Sequence, residues 1–146
     1  MPDEELDSFL AEERVVTVAT IGPNGRPHLM PLWYVPEGTV LSGWTFARSQ
    51  KAKNLERDPY ATLQVEAGES YEELRGVMFE CDVELDHDTE RVTQVGVALF
   101  SRYGASEEPD PAVREMVEKQ APKRVALRFT PTRTVTWDHR KLGGTY

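Results

Sequence analysis

Runs of apolar and β-branched residues alternate with short polar turns over most of the chain, and this pattern predicts a mainly β protein. The six predicted strands cover residues 15–21, 28–35, 39–47, 60–67, 75–86 and 123–139. The dipeptide Asn24-Gly25 separates the first two strands and is the strongest short signal of a tight hairpin. Because most neighbouring strands are joined by short turns, we expect an antiparallel sheet that closes, or nearly closes, into a barrel.

Four segments show helical patterns and are expected to lie at the periphery of the barrel. They cover residues 3–14, 50–57, 88–103 and 111–120. Acidic residues crowd the first turn of the first segment, where they complement the helix dipole. The second segment is closed by Asp58-Pro59. We find no repeat and no low-complexity linker, so residues 1–146 are predicted to form one domain, ending in an irregular tail over residues 140–146.

Charge and cysteine content narrow the function classes. A net charge of −8 argues against a nucleic-acid partner, but screening within about 10 Å still allows a local cationic pocket for a small anion. The single cysteine, Cys81, excludes an internal disulfide and suits the cytoplasm. No apolar run approaches the roughly 20 residues that span a bilayer, and the acidic start predicts no signal peptide. We expect a cytoplasmic protein without a membrane partner.

Few other motifs indicate chemistry. The histidines His28, His87 and His139 are widely spaced, and His87 lies between two aspartates where a strand should end, which favours a turn over a metal site. His139, next to Asp138, could serve as a haem ligand, and this alternative stays open. The chain lacks the G-x-S-x-G, Walker and G-x-G-x-x-G patterns. We therefore expect no catalytic side chain and no metal.

One cationic stretch, FARSQKAKNLERDP at residues 46–59, stands out in this acidic chain. It joins a predicted strand to a predicted helix, whose start presents free N–H groups and the positive end of the helix dipole to an anion. Ser49 can cap this helix, and Arg48 and Lys51 can converge on one phosphate. The alternative is a capped surface helix with solvated lysines.

Four aromatic residues flank this stretch. Trp33 and Tyr34 lie on the second predicted strand, and Trp44 and Phe46 lie on the third. A single Pro-Glu-Gly turn separates the two strands, so the aromatic residues are expected to lie in neighbouring strands. They could hold a flat heteroaromatic ring beside the phosphate site, or they could belong to the core, which we expect for two of the four.

In these features the chain resembles the split β-barrel flavin and deazaflavin oxidoreductases related to pyridoxamine 5′-phosphate oxidase, over roughly residues 5–140. That family binds its cofactor phosphate with a Ser-x-Lys element that opens a helix, here Ser49-Gln50-Lys51. Further matching residues are Thr45, Ala52, Asn54, Leu55, Asp58, Pro59 and the run at residues 74–77.

The resemblance implies a six-stranded antiparallel split barrel that forms a homodimer, with FMN or the deazaflavin coenzyme F420 in grooves between the subunits. The second strand would line the ring, and the partner's Trp137 and tail would complete the groove. The implied cofactor-binding residues are Met30, Pro31, Leu32, Trp33, Trp44, Thr45, Arg48, Ser49, Gln50, Lys51, Arg75, Trp137 and Arg140. Arg75 and Arg140 could instead form surface ion pairs.

The chain departs from the oxidase proper at several positions. Met30 stands where the oxidase has a phosphate-binding arginine, Gln50 replaces a frequent arginine, and the oxidase's C-terminal substrate-binding residues find no match. These departures point away from pyridoxamine phosphate and towards hydride transfer between FMN or F420 and another conjugated small molecule. The pattern from Lys51 to Pro59 resembles the branch that contains many F420 users. A non-catalytic carrier of a flavin, F420 or haem, and a plain structural barrel, remain as alternatives.

Overall fold

A computed structural model describes residues 1–104 and 111–143 of the chain. The α-helices are α1 (Asp3–Glu12), α2 (Gln50–Arg57), α3 (Thr89–Tyr103) and α4 (Pro111–Gln120). The strands are β1 (Val16–Ile21), β2 (Pro27–Leu32), β3 (Val35–Glu37), β4 (Val40–Phe46), β5 (Tyr60–Ala67), β6 (Arg75–Asp86) and β7 (Arg124–Asp138). Short 3₁₀ helices cover Tyr71–Glu73, Ala121–Lys123 and His139–Leu142. The last three residues of the predicted tail, 144–146, lie outside the described part.

The strands form one antiparallel sheet in the order β2-β1-β5-β6-β7-β4-β3. Its two edge strands, β2 and β3, are separated in sequence only by Trp33 and Tyr34. In a flat sheet, six strand spacings of about 4.8 Å would place the edges about 29 Å apart. Three Cα–Cα steps span at most about 11 Å. The sheet must therefore curl until its edges approach each other, an arrangement consistent with a split barrel.

The approach of the two edges is visible at Gly43 on β4. A Cβ atom added there would lie 3.0 Å from Cδ2 of Leu32 and 3.0 Å from the carbonyl oxygen of Trp33. Glycine is therefore the residue that lets the end of β2 pack against β4.

The prediction of six strands is wrong, because the second predicted strand breaks in two at Trp33 and Tyr34. Tyr34 turns into the core, where it is fully buried. Its hydroxyl donates to the carbonyl of Leu10 at 2.7 Å, and its backbone N–H donates to the hydroxyl of Tyr103 at 3.1 Å. Because a side chain from α3 takes this backbone donor, the strand ladder ends at Leu32 and resumes at Val35.

Two apolar clusters hold the fold together. The larger fills the interior of the curled sheet and includes residues of α1, α2 and the inward faces of the strands. The smaller lies outside the sheet and joins α3 to β7 through Val92, Ala121 and Ala126, with Trp44 packed against it. A Cβ atom added at Gly96 would collide with the Trp44 ring, so this glycine lets α3 lie close to β4.

The two faces of strand β4 differ in their surroundings. Leu41, Gly43 and Thr45 are buried on its inner face, whereas Trp44 and Phe46 lie on the outer face, where Trp44 packs against α3. No helix among the described residues has the length and apolar character needed to cross a bilayer.

Candidate functional site

The start of α2 is built by a turn that follows β4. The N–H of Ser49 donates to the carbonyl of Phe46 at 3.0 Å, and the Ser49 hydroxyl caps the helix by accepting from the N–H of Ala52 at 3.1 Å. The hydroxyl of Thr45 lies 3.3 Å from that of Ser49. The capping leaves the N–H groups of Gln50 and Lys51 without a partner inside the helix. Two hydroxyls and two backbone donors thus lie together at the positive end of the helix dipole.

Lys51 is the most informative side chain of this site. It exposes only 6% of its surface, and it forms no hydrogen bond or ion pair with any described residue. Burial lowers the pKa of its ammonium group, because the charged form loses its water. A buried cation is costly unless an anion accompanies it. The position is therefore suited to an anionic ligand.

The buried polar side chains of the described residues all belong to α2 or to the strands that surround it. They are Thr20, Thr45, Lys51 and Asn54. Asn54 donates to the hydroxyl of Thr20 at 3.0 Å and accepts from the Gln50 amide at 2.7 Å. Gln50, predicted as a cofactor-binding residue, thus has its side-chain amide engaged with Asn54. This network fixes α2 against β1.

Two residues of this region were not predicted as site residues. Thr20 continues the inward alternation of β1, and in the ladder it pairs with His28 of β2. The Nδ1 atom of His28 is buried and has no hydrogen-bond partner within the described part of the chain. The sequence contains one signal for Thr20: it is a polar residue at an inward position of a strand whose other inward residues are apolar.

Additional positive charge lies beside the helix start. Arg48 is exposed and makes no ion pair with the described residues. Together with Lys123 it lines a cavity of about 480 Å³ next to Phe46. The N–H of Ala47 donates to the carbonyl of Lys123 at 2.9 Å, which fixes the two segments against each other.

Most of the predicted ring-binding residues line one cavity of about 400 Å³, here called the aromatic cavity. Its lining residues are Pro31, Leu32, Trp33, Trp44, Leu99, Phe100, Met116, Gln120 and Arg124. The rings of Trp33 and Trp44 both meet Phe100 edge-on, at 6.3 and 6.4 Å between centroids. Met30 is absent from this lining and pairs with Val18 in the β1–β2 ladder.

The end of α3 holds Trp33 in place. The indole stacks on Tyr103 with 4.3 Å between centroids and 9° between planes. The Tyr103 hydroxyl donates to the carbonyl of Arg14 at 2.7 Å. Trp33 nevertheless keeps 47% of its surface exposed. The wall of the aromatic cavity is thus positioned by α3 and remains accessible to a ligand.

Three predicted site residues lie elsewhere in this chain. Arg75 pairs with Glu12 at 3.5 Å, and Arg140 pairs with Asp138 at 2.8 Å. Both arginines line a different cavity beside α1. Trp137 packs over Gly76, its partner in the β6–β7 ladder. The structure therefore does not bring these three residues to the helix start within one subunit.

The described residues include no group of three His, Cys, Asp or Glu side chains that could hold a metal ion. His139 instead contacts the carbonyl of Tyr71 through Nδ1 at 2.7 Å. His87 lies 3.7 Å from Glu56. What the site offers is a set of anion donors next to an aromatic cavity.

The chain belongs to the pyridoxamine 5′-phosphate oxidase family, whose model matches residues 2–138. None of the curated proteins matches the chain. Among solved structures, the conserved hypothetical protein Rv2991 from Mycobacterium tuberculosis shares 40% identity, with a TM-score of 0.90 over 100% of this chain and 90% of that one.

Two further structures show how widely the fold is used. A protein named F420 reductase is 22% identical, with a TM-score of 0.68 over 88% of this chain and 94% of that one. The haem storage protein HutZ from Vibrio cholerae is 18% identical, with a TM-score of 0.71 over 93% of each chain. At these identities the likeness establishes the shared fold alone.

Proposed function

We propose that the protein is an oxidoreductase that binds FMN or F420 and catalyses hydride transfer between this cofactor and a conjugated small molecule. The observation that carries the proposal is the buried Lys51 at the start of α2, which has no partner among residues 1–104 and 111–143. Family membership supports it, and so does the F420 reductase among the proteins of the same fold.

The residues at the helix start fit a phosphate group. Ser49 and the backbone N–H groups of Gln50 and Lys51 would donate hydrogen bonds to its oxygens, and Lys51 would supply the opposing charge. Arg48, exposed at the rim, would approach the phosphate from outside the helix. The anion would remove the cost of burying Lys51, so binding is favoured by an interaction that the free protein lacks.

The tricyclic ring would lie beside the second strand. Pro31, Leu32 and Trp33, which also line the aromatic cavity, would contact one face of the ring and leave the rest of that cavity open to a substrate. Met30 would lie near the edge of the ring. These side chains are apolar, so they would exclude water from the reacting face. The bound cofactor supplies the hydride chemistry, and no side chain need act as a nucleophile.

A non-catalytic carrier would need the same phosphate site, and HutZ shows that this fold also occurs in a haem storage protein. The plain structural barrel is disfavoured by Lys51, because such a barrel would give this buried side chain no anion to offset its desolvation. Catalytic turnover separates the first alternative from an enzyme.

We further propose that the active form is a homodimer. Strand β2 is an edge of the sheet, and Leu29, Met30 and Trp33 expose 62%, 43% and 47% of their surfaces. A second copy covering this edge would satisfy its free backbone groups and remove apolar surface from water. In that assembly Arg75, Trp137 and Arg140 of the partner subunit could reach the groove.

The direct test is a binding and turnover experiment with both cofactors. Purified protein is titrated separately with FMN and F420, and the complex is then reduced and mixed with quinones, tetrapyrroles and nitroaromatics. We expect micromolar or tighter binding of one cofactor and its reoxidation by at least one acceptor class. Binding without reoxidation by any acceptor would favour the carrier, and failure to bind either cofactor would contradict the proposal.

A further inference from the structure

Arg124, the first residue of β7, occupies an unusual environment. Its guanidinium carbon lies 3.8 Å from the centre of the Phe46 ring and 4.7 Å from that of Trp44. Its Nε atom is buried and has no hydrogen-bond partner among the described residues, and the side chain forms no ion pair with them. Burial lowers the pKa of this guanidinium, and no carboxylate of the described residues opposes that effect.

Several other arginines of this acidic chain form ion pairs. Arg57, Arg91 and Arg140 each pair with an aspartate, at 3.2, 2.9 and 2.8 Å. Arg124 is instead held in position by cation–π contacts with two rings, which fix its plane without using its N–H donors. A positioned guanidinium with unused donors is well suited to bind an anion.

The aromatic cavity offers space for such an anion and for a ring system attached to it. Among the described residues that line it, Arg124 is the only charged one, and Gln120 supplies the only side-chain amide. Trp33, Trp44 and Phe100 present aromatic surface. The volume of about 400 Å³ lies in the range of small-molecule sites.

We propose that the aromatic cavity binds a planar, conjugated carboxylate, with Arg124 receiving the carboxylate group and the aromatic walls contacting the rings. A bidentate arginine–carboxylate pair would satisfy donors that are otherwise unpaired. A neutral ring of the same shape would leave the guanidinium without a partner and would bind more weakly. Arg124 would thus select among ligands, a role that the family resemblance did not indicate.

That the carboxylate is the hydride acceptor rests on the proposed function. That the aromatic cavity binds a carboxylate does not. In the redox step, a hydride would pass from the reduced cofactor to one carbon of a conjugated C=C bond. Water would supply the proton to the neighbouring carbon. The acceptor would thus gain two hydrogen atoms, and the cofactor would lose two electrons.

The test compares 2-naphthoate with its neutral isostere 2-naphthamide by titration calorimetry on the cofactor-free protein. We expect the wild type to bind naphthoate at least tenfold more tightly than naphthamide. Arg124→Met should abolish this preference, and Arg124→Lys should retain part of it. The matched control is Arg128→Met, since Arg128 lies four residues further along β7 on the same strand face and contacts Glu37 at 3.9 Å.

Equal affinity of the wild type for the two probes would overturn the inference, and so would a preference that persists in Arg124→Met. Thermal unfolding of each variant shows whether it is folded. If Arg124→Met does not fold, Arg124→Gln replaces it, because a neutral amide keeps the polar contacts but not the charge.

A second titration separates this inference from the proposed function. Protein saturated with its cofactor should bind naphthoate with an affinity within threefold of that of the free protein. Displacement of the cofactor by naphthoate would mean that the ring itself occupies the cavity, which would overturn the acceptor assignment. Arg124-dependent naphthoate binding in a protein that takes neither FMN nor F420 would leave the carboxylate site standing while the proposed function fails.

Discussion

At the residue scale, the polar side chains around α2 divide into satisfied and unsatisfied groups. Thr45 contacts Ser49, and Asn54 contacts Thr20. Lys51, packed among them, has no partner within the described chain. A buried lysine with a purely structural role would be expected to have a carboxylate nearby, so this arrangement favours the proposed anionic ligand.

The pH dependence of cofactor binding should report Lys51. Its pKa in the free protein lies below the ordinary 10.5, so the lysine loses its proton at a lower pH than an exposed lysine does. A bound phosphate favours the charged form, and cofactor affinity should therefore fall as the pH rises through this lowered pKa. Dissociation constants measured from pH 6 to 10 should show this fall in the wild type. The same profile in Lys51→Met would contradict the assignment.

Cys81 should act as a sensor of unfolding. Its thiol is buried, and burial raises its pKa from 9.0 to about 12. The unfolded chain therefore ionises first, and the stability contributed by this group is complete below pH 9 and declines as the pH rises towards 12. Labelling by a disulfide reagent at pH 8 should be slow and should accelerate in urea together with unfolding. Rapid labelling of the folded protein would show that the thiol is accessible.

At the element scale, the end of α3 joins parts of the chain that are distant in sequence. The Arg102 guanidinium donates to the carbonyls of Leu10, Glu13 and Tyr34 at 2.9, 2.7 and 2.6 Å. Two of these carbonyls lie at the end of α1, where the helix leaves acceptors unsatisfied and where positive charge is favourable. Because Trp33 stacks on the adjacent Tyr103, the same contacts also position the wall of the aromatic cavity.

Replacement of Arg102 by methionine should therefore destabilise the whole fold. The variant leaves carbonyl groups without a charged donor, and we expect a loss of about 1.5–3 kcal/mol in the free energy of unfolding. Arg114→Met is the control, since Arg114 is exposed and lies 3.9 Å from Glu118 one turn along α4; it should cost at most about 0.5 kcal/mol. Urea unfolding curves of the two variants with equal midpoints would show that Arg102 has no special role.

Much of the fold could be predicted from periodicity. Helices α2 and α4 and strands β5 and β6 have the predicted bounds. The break between β2 and β3 could not be predicted, because the apolar pattern runs through Trp33 and Tyr34 without interruption. It depends on a hydroxyl 69 positions further along the chain, at Tyr103. Periodicity describes which face of an element is apolar, and it carries no information about such a distant partner.

The candidate site could be predicted only in part from the sequence. The helix start at Ser49 and Lys51 follows from local capping and charge, which short stretches of sequence encode. Arg124 was missed because its significance arises from contacts with Trp44 and Phe46, which only the β4–β7 register brings beside it. Arg75 and Arg140 line a cavity beside α1 and do not reach the start of α2 within one chain. The sequence pattern did not show this, because it does not indicate which ends of the strands lie together.

At the scale of the whole molecule, strand β4 connects the start of α2, through Thr45, with the aromatic cavity, through Trp44, in an acidic protein. Thr45 on the inner face of β4 faces the helix cap, while its neighbours Trp44 and Phe46 on the outer face contact Arg124. The net charge of −8 is thus compatible with local binding of anions, because short distances outweigh the screened field of the surface.

The proposed dimer can be tested at this scale. Leu29→Asp introduces a charge on the exposed edge strand, which a second copy would have to bury, and association should weaken by at least tenfold. Light scattering coupled to gel filtration should show a dimer for the wild type and a monomer for the variant at low micromolar concentration. A monomeric wild type that binds its cofactor fully would contradict the intersubunit groove.

The most direct test of the phosphate site is a comparison of Lys51→Met with Lys53→Met, an exposed lysine of the same helix. Cofactor affinity and the stability of the cofactor-free protein are measured for both. Lys51→Met should lose about 1.5–3 kcal/mol of binding free energy, while its cofactor-free form should be as stable as the wild type or more so, because no cation is buried. Lys53→Met should change neither quantity appreciably. Unchanged affinity in Lys51→Met, or equal losses in the two variants, would contradict capture of the cofactor phosphate at the start of α2.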